Sequence, residues 1–290
     1  MRLRKPVGTL TVVLLALVGV GAAVFASARN GALSDCQHTP PGPLVWSDEF
    51  TGPADSAPNP SKWVRETGGT GWGNRELQYY TDNNANSMLD GDGNLVITAT
   101  KENPSGYGCW YGLCEYTSAK LSTAGTFAHT YGRFEARIKL PRGQGLWPAF
   151  WMLGDNNGSV GWPESGEIDV MENVGSEPDR VQGALHGPGY SAGNRLFGHY
   201  SLPGGRAFAD DFHTFAVDWR PGSVAFSVDG SQYACYTRAD THGHRWVYDR
   251  PFFLLLNVAV GGDAPGVPDK STSFPQRMIV DYLRVYSASG

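Results

Sequence analysis

Three acids stand close together in Gly166-Glu167-Ile168-Asp169-Val170-Met171-Glu172-Asn173. Along a strand, side chains two apart share a face, so Glu167 and Asp169 point one way and Ile168 and Val170 the other, into a core. Glu172 breaks that parity. One extra residue at Met171, forming a β-bulge, would return it to the face of the other two. Like charges crowded on one face raise one another's pKa, and the aromatic and apolar flanks here desolvate them further, which argues against a merely solvated acidic face. Carboxyls placed in this way keep a proton near neutral pH. Glycoside hydrolysis uses such a set: one carboxylate attacks the anomeric carbon and one carboxylic acid protonates the departing oxygen. On a flat strand the Cα atoms of Glu167 and Glu172 would stand about 13 Å apart. Retention of configuration needs the carboxyl groups about 5 to 5.5 Å apart. The strand must therefore curve concavely, as a groove for a polymer also requires. Asp169, between the two, can hydrogen-bond Glu167 and tune the shared charge.

The elements that would hold such a strand are legible in the apolar pattern. Leu95 to Thr100, Gly132 to Lys139, Trp147 to Met152, Glu167 to Glu172, Val181 to His186, His213 to Trp219, Val224 to Val228, Phe252 to Val260 and Met278 to Tyr286 all read as strands, with turn signals between nearly all of them. In Gly132 to Lys139, Phe134, Ala136 and Ile138 alternate with charged residues, so one face is dry and the other wet. No long helical period follows residue 29, and 38 glycines and 19 prolines spread along the chain supply the turns. Many half-apolar strands need a partner surface, so the fold class is all-β, a β-sandwich of two packed sheets. Fold alone leaves lectins, adhesion domains and enzymes open.

The N-terminus places Arg2, Arg4 and Lys5 before an apolar run from Val7 to Phe25 and then Ala26-Ser27-Ala28. This layout predicts a secretory signal over 1–28, an arm over 29–43 and a catalytic domain over 44–290, with no membrane attachment after cleavage. The whole chain already carries a formal charge of −5, and loss of the basic signal makes it more acidic. Such a surface repels phosphate backbones, and no cluster of Lys and Arg offsets it, so nucleic acid is excluded as a partner. Four cysteines in an exported chain predict two disulfides. Cys109 and Cys114 bracket a short loop, which leaves Cys36 and Cys235 to pair, although four cysteines permit three connectivities.

With these residues in view, the chain resembles glycoside hydrolase family 16, in particular its bacterial laminarinase type, over about Leu44 to Tyr286. The pattern Glu-Ile-Asp-Val-Met-Glu matches the bulged catalytic motif, distinct from the unbulged form of mixed-linkage lichenases. The resemblance implies a concanavalin-like jelly roll with a concave catalytic sheet and a retaining endo-β-1,3-glucanase acting on β-glucan; the signal makes it a secreted protein, and it is expected to be a monomer. It implies Glu167 as nucleophile, Asp169 as assisting acid and Glu172 as acid/base, with no cofactor for catalysis.

Sugar rings present apolar C–H faces, so glycan clefts are lined with aromatic platforms and edge hydrogen-bonders. Trp147 and Trp151 lie four apart on one predicted strand and face the same way, while Phe150 and Met152 turn to the other side; Trp162 precedes the catalytic strand. The run Trp72-Gly73-Asn74-Arg75-Glu76-Leu77-Gln78-Tyr79-Tyr80 resembles the family's substrate loop, with Asn74 implied as a sugar ligand; His186 and Asn257 fall on cleft positions too. Lys120 stands where relatives commonly carry arginine, and lysine cannot fork to two hydroxyls, so subsite affinity or linkage preference shifts. The resemblance also implies a structural calcium held by the backbone carbonyls of Glu49 and Gly93 and by Asp281. The rivals are the same chemistry on mixed-linkage glucan or agarose, and a non-catalytic β-glucan-binding sandwich, which would lack the two glutamates.

Overall fold

Alternation decides which side of each strand is dry, and the dry sides find each other. The computed structural model describes Cys36, residues 40–101 and residues 106–289. The signal over 1–28 and most of the arm over 29–43 lie outside the described residues. One unit spans His38–Gly290; of the other, Met1–Gln37, only Cys36 is described. Among the described residues no helix is long and apolar enough to cross a membrane.

Two main sheets make the sandwich. The larger, 10-stranded, runs Ser231–Thr237, Ser223–Val228, His213–Arg220, Gly132–Lys139, Gln276–Tyr286, Leu95–Lys101, Tyr116–Ser118 and Gln78–Tyr80, with two short strands attached at its side. The smaller, 7-stranded, runs Leu196–Ser201, Arg180–His186, Glu167–Glu172, Leu146–Gly154, Phe252–Val260, Lys120–Ser122 and Val64–Glu66. Pairing is antiparallel except between Gln78–Tyr80 and Tyr116–Ser118. Every strand expected from the apolar pattern is present, most longer by a residue or two.

The core lies between the sheets. Phe134, Ala136 and Ile138 of the larger sheet are fully buried, as are Phe150 and Met152 of the smaller. Trp219 of the larger sheet meets Phe252 of the smaller edge to face at 5.2 Å, a packing that adds to what burial alone supplies. Because Phe150, Met152 and Ile168 occupy the dry side, Trp147, Trp151, Glu167 and Asp169 are committed to the other face of the smaller sheet. Entry into the catalytic strand is fixed by Gly166. Its φ of +79° favours glycine, and a Cβ there would lie 2.8 Å from Val247 and 3.0 Å from Phe252.

Cys109 and Cys114 form a disulfide with Cα atoms 5.1 Å apart, closing the two-stranded hairpin of Gly108–Cys109 and Gly112–Leu113. Cys36 and Cys235 are also disulfide-bonded, and no cysteine is free.

Candidate active site

The outer face of the smaller sheet carries a cleft of about 810 Å³. Glu167, Asp169 and Glu172 all open onto it. The bulge that brings Glu172 round is present, with one correction to its position. Against Leu146–Gly154 the register runs Trp151 to Asp169 and Phe150 to Met171, so the residue without a partner is Val170, not Met171. The side chains of Val170 and Met171 are both buried in the core, as a bulge that turns two successive residues the same way allows. On the other flank Asp169 faces Ala184 and Glu172 faces Gln182, so three residues span what two span opposite.

Each acid has distinct neighbours. Glu172 accepts from Trp147 Nε1 at 2.8 Å and from Gln182 Nε2 at 2.9 Å, and Gln182 Oε1 in turn accepts from Arg195 Nη2 at 3.0 Å. Glu167 and Asp169 are hydrogen-bonded to each other and share His186, whose Nε2 lies 3.1 Å from Asp169 Oδ2 and 3.7 Å from Glu167 Oε1. Asp169 Oδ2 is shut from solvent, and the approach of His186 lacks hydrogen-bond alignment. The amide N–H of Ala192 donates to His186 Nδ1 at 3.1 Å. That bond leaves the proton of the neutral ring on Nε2, facing the acids. Glu167, Asp169 and His186 thus have metal-ligating side chains within 4.8 Å of one another, but a protonated Nε2 offers the acids an N–H rather than a lone pair to a metal.

Burial pushes the Glu167 carboxyl well above the usual carboxylate range; the Asp169 charge adds to this and His186 opposes it. Burial likewise pushes Asp169 up, reinforced by the Glu172 charge. The two titrate as a pair, and the pair retains a proton at a pH where an exposed acid has lost it.

The expected cleft residues come together. Asn74, Lys120, Trp147 and Trp151 line the cleft, and so do Trp162, His186 and Asn257. Trp162 is exposed, with its ring 5.8 Å from His186. Trp151 Nε1 donates to Asn257 Oδ1 at 2.6 Å. Lys120 is buried, paired with Glu66 at 2.9 Å and set over the Trp72 and Trp151 rings at 4.2 and 5.1 Å. It therefore braces two aromatic walls, a role in which a compact ammonium suffices. Sequence reasoning missed Gln182 and Arg195. Gln182 shares strand parity with His186, a signal that was available; Arg195 comes from a turn that no periodicity marks.

The model of the glycosyl hydrolases family 16 matches residues 74–283. The chain belongs to glycosyl hydrolases family 16. Among its relatives in that family, a beta-glucanase of Rhodothermus marinus is 40% identical over 277 residues, covering 92% of this chain and 91% of the relative. The laminarinase catalytic domain of Thermotoga maritima superposes with a TM-score of 0.81 at 46% identity, over 87% of this chain and 100% of that one. The endo-beta-1,3-glucanase of Pyrococcus furiosus gives 0.79 at 46% identity, over 85% and 95%. The family 16 sandwich is a jelly roll, so the two sheets described above have the topology of those laminarinases.

Proposed function

We propose that this chain is a retaining endo-β-1,3-glucanase that cuts laminarin- and curdlan-type glucans. The observation that carries the reading is the placement of Glu167 and Glu172 on one aromatic-walled cleft face, with Asp169 between them. The names borne by the Thermotoga and Pyrococcus relatives give the linkage. In the first step Glu167 attacks the anomeric carbon, a covalent glycosyl ester forms, and Glu172 gives its proton to the departing glycosidic oxygen. In the second, Glu172 takes a proton from water, the hydroxyl adds to the anomeric carbon and Glu167 leaves as carboxylate. Two inversions give net retention. Trp147 and Gln182 aim Glu172 through its two oxygens, and Asp169 and His186 balance the charge that Glu167 loses and regains.

The wild-type enzyme should release reducing ends from laminarin with a rapid fall in viscosity, and proton NMR should show the β-anomer first. An inert protein would favour the glucan-binding sandwich, and an initial α-anomer would overturn double displacement. Lichenan and agarose, run in parallel, read out the rival linkages. We also propose that the enzyme acts outside the cell, which the signal expected over 1–28 and the four bonded cysteines support, and that it acts as a monomer.

We also propose the structural calcium. Hard oxygen donors are what it requires, and the Glu49 carbonyl lies 3.9 Å from where a Cβ on Gly93 would stand. The Glu49 side chain is committed to Arg284 at 2.7 and 2.9 Å, so only its backbone can serve. Asp281 Oδ2 is paired with Arg137 at 2.6 Å, and the cation would compete with that guanidinium. Calcium at about 100 times its Kd should add about 2.7 kcal/mol of stability. Chelator should lower Tm and calcium restore it without changing the products; a Tm indifferent to both would rule the site out.

A further inference from the structure

Glu76 is a buried carboxylate in the cleft wall that the reaction does not use. Three donors converge on it: Asn74 Nδ2 on Oε1 at 3.0 Å, and Gln78 Nε2 and Tyr80 Oη on Oε2 at 2.6 and 3.2 Å. An ionised carboxylate only accepts, so the direction of each of these bonds is fixed. Gln78 is held from its other end as well, since its Oε1 accepts the Val260 amide N–H at 2.7 Å. With its proton turned toward Glu76, the Tyr80 hydroxyl accepts from Asn257 Nδ2 at 3.0 Å, which turns Asn257 Oδ1 to the Trp151 indole. Burial pushes the Glu76 carboxyl up, while Asn74, Gln78, the Lys120 charge and Tyr80 oppose that shift.

We propose that Glu76 is a positioning residue that sets the hydrogen-bond polarity of this wall, holding the Asn74 amide nitrogen inward so that its carbonyl oxygen meets sugar hydroxyls, and fixing the Trp151 platform through Tyr80 and Asn257. This rests on the reading of the cleft as a glucan site. A carboxylate is required because it takes donors on both oxygens. Glutamine would present an NH2 to either Asn74 Nδ2 or the Gln78 and Tyr80 donors. Gln78 cannot turn without losing Val260, so Asn74 is the group that flips, and its acceptor leaves the cleft.

The test is Glu76→Gln, Asn74→Ala and the double variant, each assayed on laminarin with Tm measured beside KM and kcat. Glu76→Gln should raise KM about 10-fold, equivalent to about 1.4 kcal/mol, and change kcat by no more than about 3-fold. Asn74→Ala should raise KM similarly, and the double variant should match Asn74→Ala within about 2-fold, because glutamine at 76 still accepts from Gln78 and Tyr80 and so leaves the path to Trp151 in place. A purely structural role would lower Tm and kcat together and multiply with Asn74→Ala; that result overturns the proposal. Unchanged KM in Glu76→Gln, with Asn74→Ala impaired, overturns it while leaving the glucanase reading intact. An inert wild type would sink both.

Discussion

Glu167→Ala and Glu172→Ala are each expected to cut kcat on laminarin by about 10⁴-fold or more, the scale seen when a group acting in concert with others is removed. Both should fold, because the two carboxyls lie on the cleft face and support no core contact. The variants differ in what an added azide does. In Glu167→Ala the space left by the carboxylate admits azide to the face from which the nucleophile attacked. One displacement then takes place, and an α-glycosyl azide forms from the β-linked substrate. In Glu172→Ala the glycosyl ester on Glu167 still forms from a substrate whose leaving group needs no proton. Azide opens that ester from the other face, giving a β-glycosyl azide. Opposite anomers from the two variants are the expected result, and the same anomer from both would overturn the division of roles.

The residues most visible in the sequence are those whose position follows from parity. Phe134, Ala136 and Ile138 had to share a side, and once Ile168 faces inward, Glu167 and Asp169 face out. Trp147 and Trp151 follow by the same rule. What parity does not determine is where a bulge sits. Val170 and Met171 are both apolar and both buried, so either could be the extra residue, and only the pairing partners distinguish them. Short strands such as Val64–Glu66 and Lys120–Ser122 carry too few residues for a period, and their pairing with each other and with Phe252–Val260, together with the Lys120–Glu66 ion pair, holds them in place. Arg195 and Ala192 reach the site from a turn, and their contribution depends on a three-dimensional closure between Gly187 and Leu196 that the local sequence does not encode. Asn74, Glu76, Gln78 and Tyr80 all stand in the substrate-loop run, but their links to Val260 and Asn257, and the direction of each donation, are properties of geometry and leave no mark in composition.

The arrangement that permits catalysis should also cost stability, and the two effects can be separated with Asp169→Asn and Glu167→Gln. Glu167 must be ionised to attack, so wild-type kcat/KM should fall as pH drops through a value above the ordinary carboxylate range, raised by burial and by Asp169. That limb belongs to the coupled pair. In Asp169→Asn the negative neighbour is gone, so Glu167 keeps its charge to lower pH and the acid limb should move down. The rate at the optimum should nonetheless fall about 10²-fold, because a fixed amide donor stabilises the resting carboxylate and cannot pass a proton as charge leaves it. An acid limb that stays in place would show that Asp169 does not set the titration of the nucleophile. For stability, the sign follows from the raised folded-state pKa: the unfolded chain ionises Glu167 first, so ionising it in the fold subtracts stability as pH rises through the folded value, and the whole penalty is present above it. Neutral Glu167→Gln escapes that penalty. At neutral pH it should be more stable by about 1 kcal/mol, or about 2 to 4 °C in Tm for a domain of this size. The gain should vanish below the unfolded-state pKa of about 4.3, where the native glutamate is protonated in both states. A gain that persists there would trace to packing, and a loss at every pH would mean that the carboxylate is stabilised in the fold.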